Sequence, residues 1–358
     1  MKGALVGLGI LIIAGAIVFA VWLQFNSKPE VKLKGIVGSE KSALLENEKV
    51  KNLLHSKYGV TLEYSRAGSI EMVSDSVNTE IDFLWPSSQV ALEIFKLKHA
   101  SRLVKSELIF NSPIVLYSWD IVVSALIKQV IVNKQNETYY VVDMPKLLQF
   151  IKEGKKWSEI GLTELYGKVS ISTTDPTKSN SGNMYAGLVA NILNGDIINT
   201  NDELEKVLPA VKETFAKQGF MQSSSGFLFE QFLKTGVGQY PIIAGYENQI
   251  VEFSLLNKDF WPKVKGKIKI LYPIPTVWSE HPLLALNKKA AILIEALKDP
   301  EIQKIAWEQH GFRTGLIGLQ NDPKVLEVAG IPENITKIVP MPKAVIMEKI
   351  INSISSNN

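Results

Sequence analysis

Apolar and polar positions alternate in short stretches along this chain, and each stretch is followed by the three- and four-residue spacing of a helix. Residues 31–37 alternate and predict a strand, and the apolar positions within 50–54 predict a helix that Gly59 can close in the left-handed conformation. The same order recurs with strands at 60–64 and 81–85. Strands joined by helices need crossover connections, so the pattern predicts an α/β fold of mostly parallel sheets flanked by helices.

The length of the chain and two extended apolar segments predict a division into two lobes. The 358 residues, of which 46% are hydrophobic, can build more than one domain. Residues 114–119 and 273–278 are predicted to cross between the lobes. We therefore predict a first lobe formed by residues 31–115 and 277–358, and a second lobe formed by residues 116–276.

Residues 168–195 combine a predicted short strand, a loop of small polar residues and an amphipathic helix. The loop ends where the helix begins, at Ser179, Asn180, Ser181 and Gly182. The first turn of a helix has free backbone N–H groups and the positive end of the helix dipole, which together favour an anion. The stretch therefore predicts an anion-binding loop.

Polar loops follow the first three predicted strands as well, and each carries serine: Ser39, Ser69 and Ser87. Loops at the carboxyl ends of parallel strands gather at one edge of the sheet, where ligands bind in such folds. Serine is also a common helix N-cap, which is the alternative reading of each of these residues taken alone. Lys41 and Arg66 add positive charge beside the first two serines.

The composition excludes several classes of protein. The net charge is +3, with 39 basic and 36 acidic residues intermixed, so the sequence shows no basic surface for nucleic acid. Cysteine is absent, which excludes disulfides, thiolate metal sites and a lipid-modified N-terminal cysteine.

An uncharged segment near the N-terminus is long enough to cross a membrane. Residues 4–23 contain no charge and can span a hydrocarbon core of about 30 Å as a helix. Val18 and Ala20 offer a cleavage pattern, but apolar residues continue through Leu23, which favours a retained anchor over a cleaved signal. Residues 1–30 are thus predicted to be a membrane anchor or signal segment followed by a linker, with the anchor favoured.

No catalytic arrangement stands out in the sequence. It lacks the H-E-x-x-H, G-x-S-x-G and G-x-x-x-x-G-K-[ST] patterns, so we predict neither an enzyme nor a cofactor. Trp85 lies near a strand end, where lining a cleft and packing in the core are equally favoured. The histidines have no close pairing and are each predicted at the surface or at a helix end: His55, His99, His281 and His310.

Five short motifs occur in a recognisable order along residues 31–315. They are Gly38-Ser39, Ala67-Gly68-Ser69, Thr174-Asp175-Pro176 with Ser179-Asn180-Ser181-Gly182, Gly245-Tyr246-Glu247, and Gly311-Phe312-Arg313. In this order they resemble the bacterial extracytoplasmic solute-binding proteins of the two-lobed type II, most closely the molybdate- and sulfate-type branch. The resemblance implies two α/β lobes that close on a ligand held by backbone amides, hydroxyls and a tyrosine.

The resemblance also implies site residues and partners. It points to Ser39 and Ser69 in the first lobe and to Asp175, Ser181 and Tyr246 in the second. The implied ligand is small and polar, with an oxyanion such as molybdate, sulfate or phosphate favoured, and the implied partner is a membrane transporter or sensor. The full set of predicted ligand-binding residues is Ser39, Lys41, Ser69, Trp85, Ser87, Asp175, Asn180, Ser181 and Tyr246.

Two considerations keep other readings open. Asp82, Asp175 and Glu247 would oppose an anion if they faced it. The alternative function is a membrane-anchored interaction, scaffold or sensor protein that keeps the same fold without a transported ligand.

Overall fold

The structure is a computed structural model that describes residues 30–73, 79–219, 221–316 and 318–355. The predicted membrane segment, residues 4–23, lies outside this part of the chain. Within the described ranges, no helix has the length and apolar character needed to span a bilayer.

The described residues form one sheet of ten strands. The strands are β1 (Val31–Val37), β2 (Val60–Arg66), β3 (Phe83–Trp85), β4 (Lys105–Trp119), β5 (Val132–Gln135), β6 (Tyr139–Asp143), β7 (Ile242–Tyr246), β8 (Ile268–Ile274), β9 (Trp278–Ala285) and β10 (Arg313–Thr314).

Helices flank the sheet. They are α1 (Ser42–Glu46), α2 (Glu48–Tyr58), α3 (Gln89–His99), α4 (Asp120–Lys128), α5 (Met144–Glu153), α6 (Asn180–Asn194), α7 (Asn201–Ala216), α8 (Ser225–Thr235), α9 (Asn248–Leu256), α10 (Trp261–Val264), α11 (Ala291–Leu297), α12 (Pro300–His310) and α13 (Ala344–Ser355).

The strand order is β2-β1-β3-β9-β4-β8-β6-β5, with β7 and β10 also paired to β4. The α/β class is confirmed, but the prediction of a mostly parallel sheet is wrong, because the sheet is mixed. Only the pairs β1–β2, β1–β3 and β6–β8 are parallel among the described strands. The reason is that β4 and β9 carry the chain across the molecule in opposite directions and run against their neighbours.

Strand β4 belongs to both halves of the sheet. Its first part, Lys105–Pro113, pairs with β9, and its last part, Ile114–Trp119, pairs with β7 and β8. We call β1, β2, β3, β9, β10 and the first part of β4 the first lobe, and β5 to β8 with the rest of β4 the second lobe. The predicted crossing at 114–119 falls within β4, and the exact division of the chain into domains stays a prediction.

Two details of the second lobe differ from the sequence-based expectation. The strand predicted at the start of residues 168–195 does not form a continuous ladder. Instead, Lys168, Ser172 and Thr174 make single bridges to three different partners. The hairpin β5–β6 was not predicted, because its turn has positive φ angles at Asn136 and Glu137 without any glycine.

A buried ion pair joins the two lobes. Arg313 in β10 donates from Nε to Glu247 Oε1 at 2.6 Å and from Nη2 to Glu247 Oε2 at 3.0 Å. Tyr272 donates to the same carboxylate at 2.6 Å, and the carbonyls of Pro332 and Glu333 accept from the guanidinium. Burial alone lowers the pKa of Arg313, but the charge of Glu247, the hydrogen bonds to it and the contact with Tyr272 together outweigh burial and raise that pKa.

The C-terminal helix α13 lies across both lobes. Glu348 forms an ion pair with Lys98 of the first-lobe helix α3 at 3.6 Å, and Lys349 donates to Asn201 at the start of α7 in the second lobe at 2.7 Å. The chain just before α13 pairs with Thr276, in the crossing between β8 and β9. The helix is amphipathic, and its apolar face packs against α3, α6 and α7.

We expect Met347→Ala to lower the free energy of unfolding by about 2–5 kcal/mol, because Met347 on the inner face of α13 is fully buried and its truncation leaves a cavity. Urea denaturation followed by circular dichroism measures this change. Val345 on the same helix is 54% exposed, so Val345→Ala serves as the control and should change stability by no more than about 0.5 kcal/mol. Equal effects of the two variants would contradict the docking of α13.

Candidate functional site

A cleft of about 510 Å³ separates the two lobes. The first lobe contributes residues 38–40, 66–69 and 71, and the second lobe contributes residues 177–180, 223–225 and 246. The first-lobe runs follow β1 and β2, and Tyr246 ends β7. The cleft therefore lies beyond the carboxyl ends of these strands, as the fold class leads us to expect.

Two helices begin at the cleft without a side-chain cap. Helix α6 has Ser179 at its N-cap and α8 has Ser224, and neither serine accepts a hydrogen bond from its own first turn. By contrast, Thr200 at the N-cap of α7 accepts from the N–H of Glu203. The positive ends of α6 and α8 thus lie at the cleft with their backbone donors uncapped by serine.

The two lobes contact each other directly at this cleft. Asn180 Nδ2, at the start of α6, donates to the first-lobe carbonyl of Ser87 at 2.7 Å and to Tyr246 Oη at 3.0 Å. Asn180 Oδ1 is buried and has no partner within the described ranges. A Cβ on Gly68 would lie 2.5 Å from the carbonyl oxygen of Lys178 in the opposite lobe, so this approach requires glycine.

A buried acid–base pair forms the first-lobe floor of the cleft. Lys41 is fully buried and donates from Nζ to Glu40 Oε1 at 2.5 Å and to Ser87 Oγ at 2.6 Å. Ser87 Oγ also donates to Glu40 Oε1. The ammonium lies 5.6 Å from the centroid of the Trp85 ring. Glu40 borders the cleft, and its Oε2 has no hydrogen bond to any described residue.

The charges of this pair compensate each other. Burial alone raises the pKa of the Glu40 carboxyl, but Lys41 and the hydrogen bonds from Lys41 and Ser87 outweigh it and lower that pKa from 4.5 to about 2. Burial lowers the pKa of Lys41, and the Glu40 carboxylate opposes that shift. Glu40 therefore brings a hydrogen-bond acceptor to the cleft while Lys41 offsets its negative charge.

His281 lies behind the same floor, and its predicted place at the surface or a helix end is wrong. It is fully buried in β9, with Nε2 at 3.3 Å from Ser279 Oγ and Nδ1 at 3.8 Å from Glu40 Oε1. Burial and then the charge of Lys41 lower the pKa of His281 well below its ordinary value. The ring is therefore neutral and adds no charge to the floor.

The structure brings part of the predicted set to the cleft surface. The predicted residues that line it are Ser39, Ser69, Asn180 and Tyr246. Three others are buried behind the first-lobe wall: Lys41, Trp85 and Ser87. The ligand-binding role of all of these residues stays a prediction.

The remaining two predicted residues order the α6 loop and do not line the cleft. Ser181 Oγ lies 2.7 Å from Thr174 Oγ1, and Asp175 accepts from the N–H and hydroxyl of Thr177. Gly182 follows in the first turn, where a Cβ would collide with the Thr174 carbonyl. These contacts explain the small polar composition of the loop without requiring a ligand.

Sequence reasoning missed Glu40 and the run Ser223–Ser225. Glu40 stands between two predicted site residues, but nothing in the spacing shows that its side chain turns into the cleft. Asp82 and Glu247, which could oppose an anion, are engaged elsewhere: Asp82 pairs with Lys289 at 2.9 Å, and Glu247 pairs with the buried arginine described above. In the described ranges, no cluster of three or more His, Cys, Asp or Glu residues could hold a metal ion.

Comparisons with known proteins show the fold. No protein family matches the sequence, and no curated protein is similar to it. Among solved structures, the sulfate-binding protein SubI from Mycobacterium tuberculosis is 15% identical, with a TM-score of 0.54 and coverage of 92% of this chain and 99% of that one.

Two iron-related structures are equally similar. Iron-bound HitA from Pseudomonas aeruginosa is 11% identical, with a TM-score of 0.56 over 91% of this chain and 97% of that one. The ferric binding protein from Campylobacter jejuni is 12% identical, with a TM-score of 0.55 over 90% and 98%. The chain therefore has the two-lobed type II solute-binding fold, which confirms the resemblance at the level of fold.

Glu40→Gln leaves the Lys41 ammonium buried without its counter-charge. We expect this variant to lose about 3–5 kcal/mol of unfolding free energy near neutral pH, as measured by urea denaturation. The double variant Glu40→Gln/Lys41→Met removes both charges and should regain most of that loss. A single variant as stable as the parent protein would show that the pair is not buried as described.

The same carboxyl sets a pH dependence of stability. Because the pKa of Glu40 is lower in the folded protein than its ordinary value of 4.5, its contribution to stability is complete above pH 4.5 and is lost as the pH falls toward 2. The stability difference between the parent protein and Glu40→Gln should therefore shrink over that interval and stay constant from pH 5 to pH 7. Denaturation curves at each pH measure it, and a difference that grew on acidification would contradict the assignment.

Proposed function

We propose that this protein is an extracytoplasmic solute-binding protein whose two lobes close on a small oxyanion and deliver it to a membrane transporter. The observation that carries the proposal is the convergence of two helix N-termini, those of α6 and α8, on one interlobe cleft, with N-cap serines that leave the backbone donors uncapped. The fold shared with a sulfate-binding protein supports it.

The cleft chemistry suits an anion with several acceptor oxygens. Serine hydroxyls at positions 39, 179 and 224 and the two helix ends supply donors from both lobes. A hydrogen bond to a charged group contributes about 1.5–3 kcal/mol, so four or five such bonds would support micromolar binding after ordering costs.

The same features weigh against a metal cation as the ligand, although iron is named in two of the similar structures. The positive ends of α6 and α8 would repel a cation. The Glu40 carboxylate that borders the cleft is already matched by Lys41 at 2.5 Å. An anion therefore has the better electrostatic match.

The proposed location follows from the sequence and the fold together. Residues 4–23 would hold the folded domain at the membrane, on its outer side, within reach of a transporter. Lobe closure would bend the chain at its crossings, of which β4 is the longest.

The position of the C-terminal helix α13 favours a second candidate function. The protein would be a sensor or scaffold that keeps the fold but does not deliver a solute to a transporter. Helix α13 contacts α3 in one lobe and α6 and α7 in the other, so opening the lobes would break contacts on at least one side. A protein that seldom opens is poorly suited to loading and unloading a solute.

Thermal unfolding of the full chain in lipid nanodiscs distinguishes the two candidates. Sulfate, molybdate and phosphate are each compared with chloride at equal ionic strength, and an anion present at about a hundred times its Kd should add about 2.7 kcal/mol of stability. Stabilisation by one of these anions supports solute binding. If none stabilises the protein, the scaffold or sensor function stands instead.

Ser224→Asp tests the helix end directly. Asp caps a helix about as well as Ser and is favoured at its N-terminus, so the unfolding free energy should change by no more than about 0.5 kcal/mol. The new charge repels a bound anion by about 1–4 kcal/mol, so anion affinity should fall about fivefold to several hundredfold by calorimetry. Thr200→Asp makes the same kind of change at the N-cap of α7, away from the cleft, and should leave affinity unaltered. Undiminished binding by Ser224→Asp would exclude this helix end from the site.

A further inference from the structure

A second cavity of about 370 Å³ adjoins the cleft. Both cavities are bordered by Ser39, Glu40, Arg66, Ser224 and Ser225, so these residues lie on an edge that the two spaces share. We call this second cavity the extension. Because Ser224 and Ser225 lie at the junction, a group bound at the start of α8 has direct access to both spaces.

The extension has an apolar wall that the cleft lacks. Phe227 and Phe229 on α8 face it, together with Phe253 and Leu256 on α9. The Phe229 and Phe253 rings meet edge to face with centroids 5.8 Å apart, which fixes the base of this wall. Phe227 is 47% exposed and Leu256 is 67% exposed, so both have apolar surface that a ligand could cover.

The acidic residues beside this wall are already paired. Glu230 forms an ion pair with Lys234 at 3.3 Å, and Glu252 lies 2.8 Å from His310 Nδ1. Arg66, in contrast, borders both spaces, and its guanidinium has no hydrogen bond or ion pair to any described residue. Arg66 is therefore a cationic group that a ligand in either space can reach.

The size of the combined space also exceeds what an inorganic oxyanion needs. Pockets for organic ligands span about 300–1,000 Å³, and the cleft and the extension each fall in that range. A tetrahedral oxyanion has only a handful of heavy atoms and would occupy a small part of the cleft.

We propose that the ligand is an organic anion, a sulfonate or phosphate monoester with an alkyl or aryl substituent. This inference rests on the proposed function above and narrows its ligand class. The anionic head lies at the uncapped ends of α6 and α8, Arg66 pairs with it from the first lobe, and the substituent lies in the extension against Phe227 and Leu256.

Calorimetry with a graded series of sulfonates tests the substituent. The full chain in nanodiscs is titrated with sulfate, methanesulfonate, butanesulfonate and benzenesulfonate, with empty nanodiscs as the blank. Burial of a methylene group contributes about fourfold in affinity when complete, so we expect about twofold to fourfold per methylene from methane- to butanesulfonate. Benzenesulfonate should also bind more tightly than sulfate.

The variant Leu256→Ser tests whether the increase in affinity with substituent length arises in the extension. Because Leu256 is largely exposed at the end of α9, its replacement should leave the fold intact while the affinity increase from methane- to butanesulfonate shrinks at least severalfold. Leu97→Ser is the matched control, since Leu97 is 68% exposed near the end of α3 and distant from the cleft in sequence and fold. The control should retain the full chain-length dependence.

The outcomes separate this inference from the function on which it rests. If sulfate binds and butanesulfonate binds no more tightly, the extension does not hold a substituent and the inference is overturned while anion binding stands. If the increase in affinity from methane- to butanesulfonate is unchanged in Leu256→Ser, the inference is overturned as well. If no anion in the series binds, the proposed function itself fails.

Discussion

One strand, β4, constrains the whole molecule. Its fifteen residues pair with β9 and β10 at one end and with β7 and β8 at the other, so both lobes are built on the same backbone segment. Val115, Leu116 and Tyr117 are fully buried at the point where the strand enters the second lobe. Any change in the width of the cleft must bend this strand or the neighbouring crossing from β8 into β9, because these are the connections between the lobes within the described part of the sheet.

The second constraint is electrostatic and concerns charges that the fold buries. Glu247 and Glu40 are both acidic residues near an interlobe surface, and each is matched by a buried cation, Arg313 and Lys41. A buried carboxylate without a partner would cost several kcal/mol and would give the cleft a negative field. Both are compensated. The positive ends of α6 and α8, with Arg66 and Lys178 at the border of the cleft, favour an anion, and the Glu71 carboxylate at the same border opposes one.

Local signals explain how far the sequence could predict this arrangement. Helix α6 was predictable because polar residues precede it and Gly195 closes it in the left-handed conformation, and the serine-bearing loops were predictable because they follow strands. The antiparallel course of β4 and β9 was not, since alternation of apolar residues is the same in either direction. The inward turn of Glu40 brings it to Ser87 and to His281 in β9, and these partners are distant in sequence, so no local pattern identifies them.

The contacts of the C-terminal helix α13 with both lobes affect how a ligand would bind in the cleft. The exposed ion pair of Glu348 with Lys98 contributes little by itself, but the buried apolar face of α13 stabilises the contact with both lobes much more. Helix α13 thus stabilises the contact between the two lobes in the absence of a ligand. A binding site that is already assembled loses little affinity to closure, because the apparent Kd is the intrinsic Kd divided by the fraction of molecules that are competent to bind. The contacts of α13 with both lobes also limit how far a ligand can move the lobes. With strong α13 contacts, a partner can detect an occupied cleft only through the changed surface at the cleft. With weak contacts, the partner can also detect a movement of the lobes.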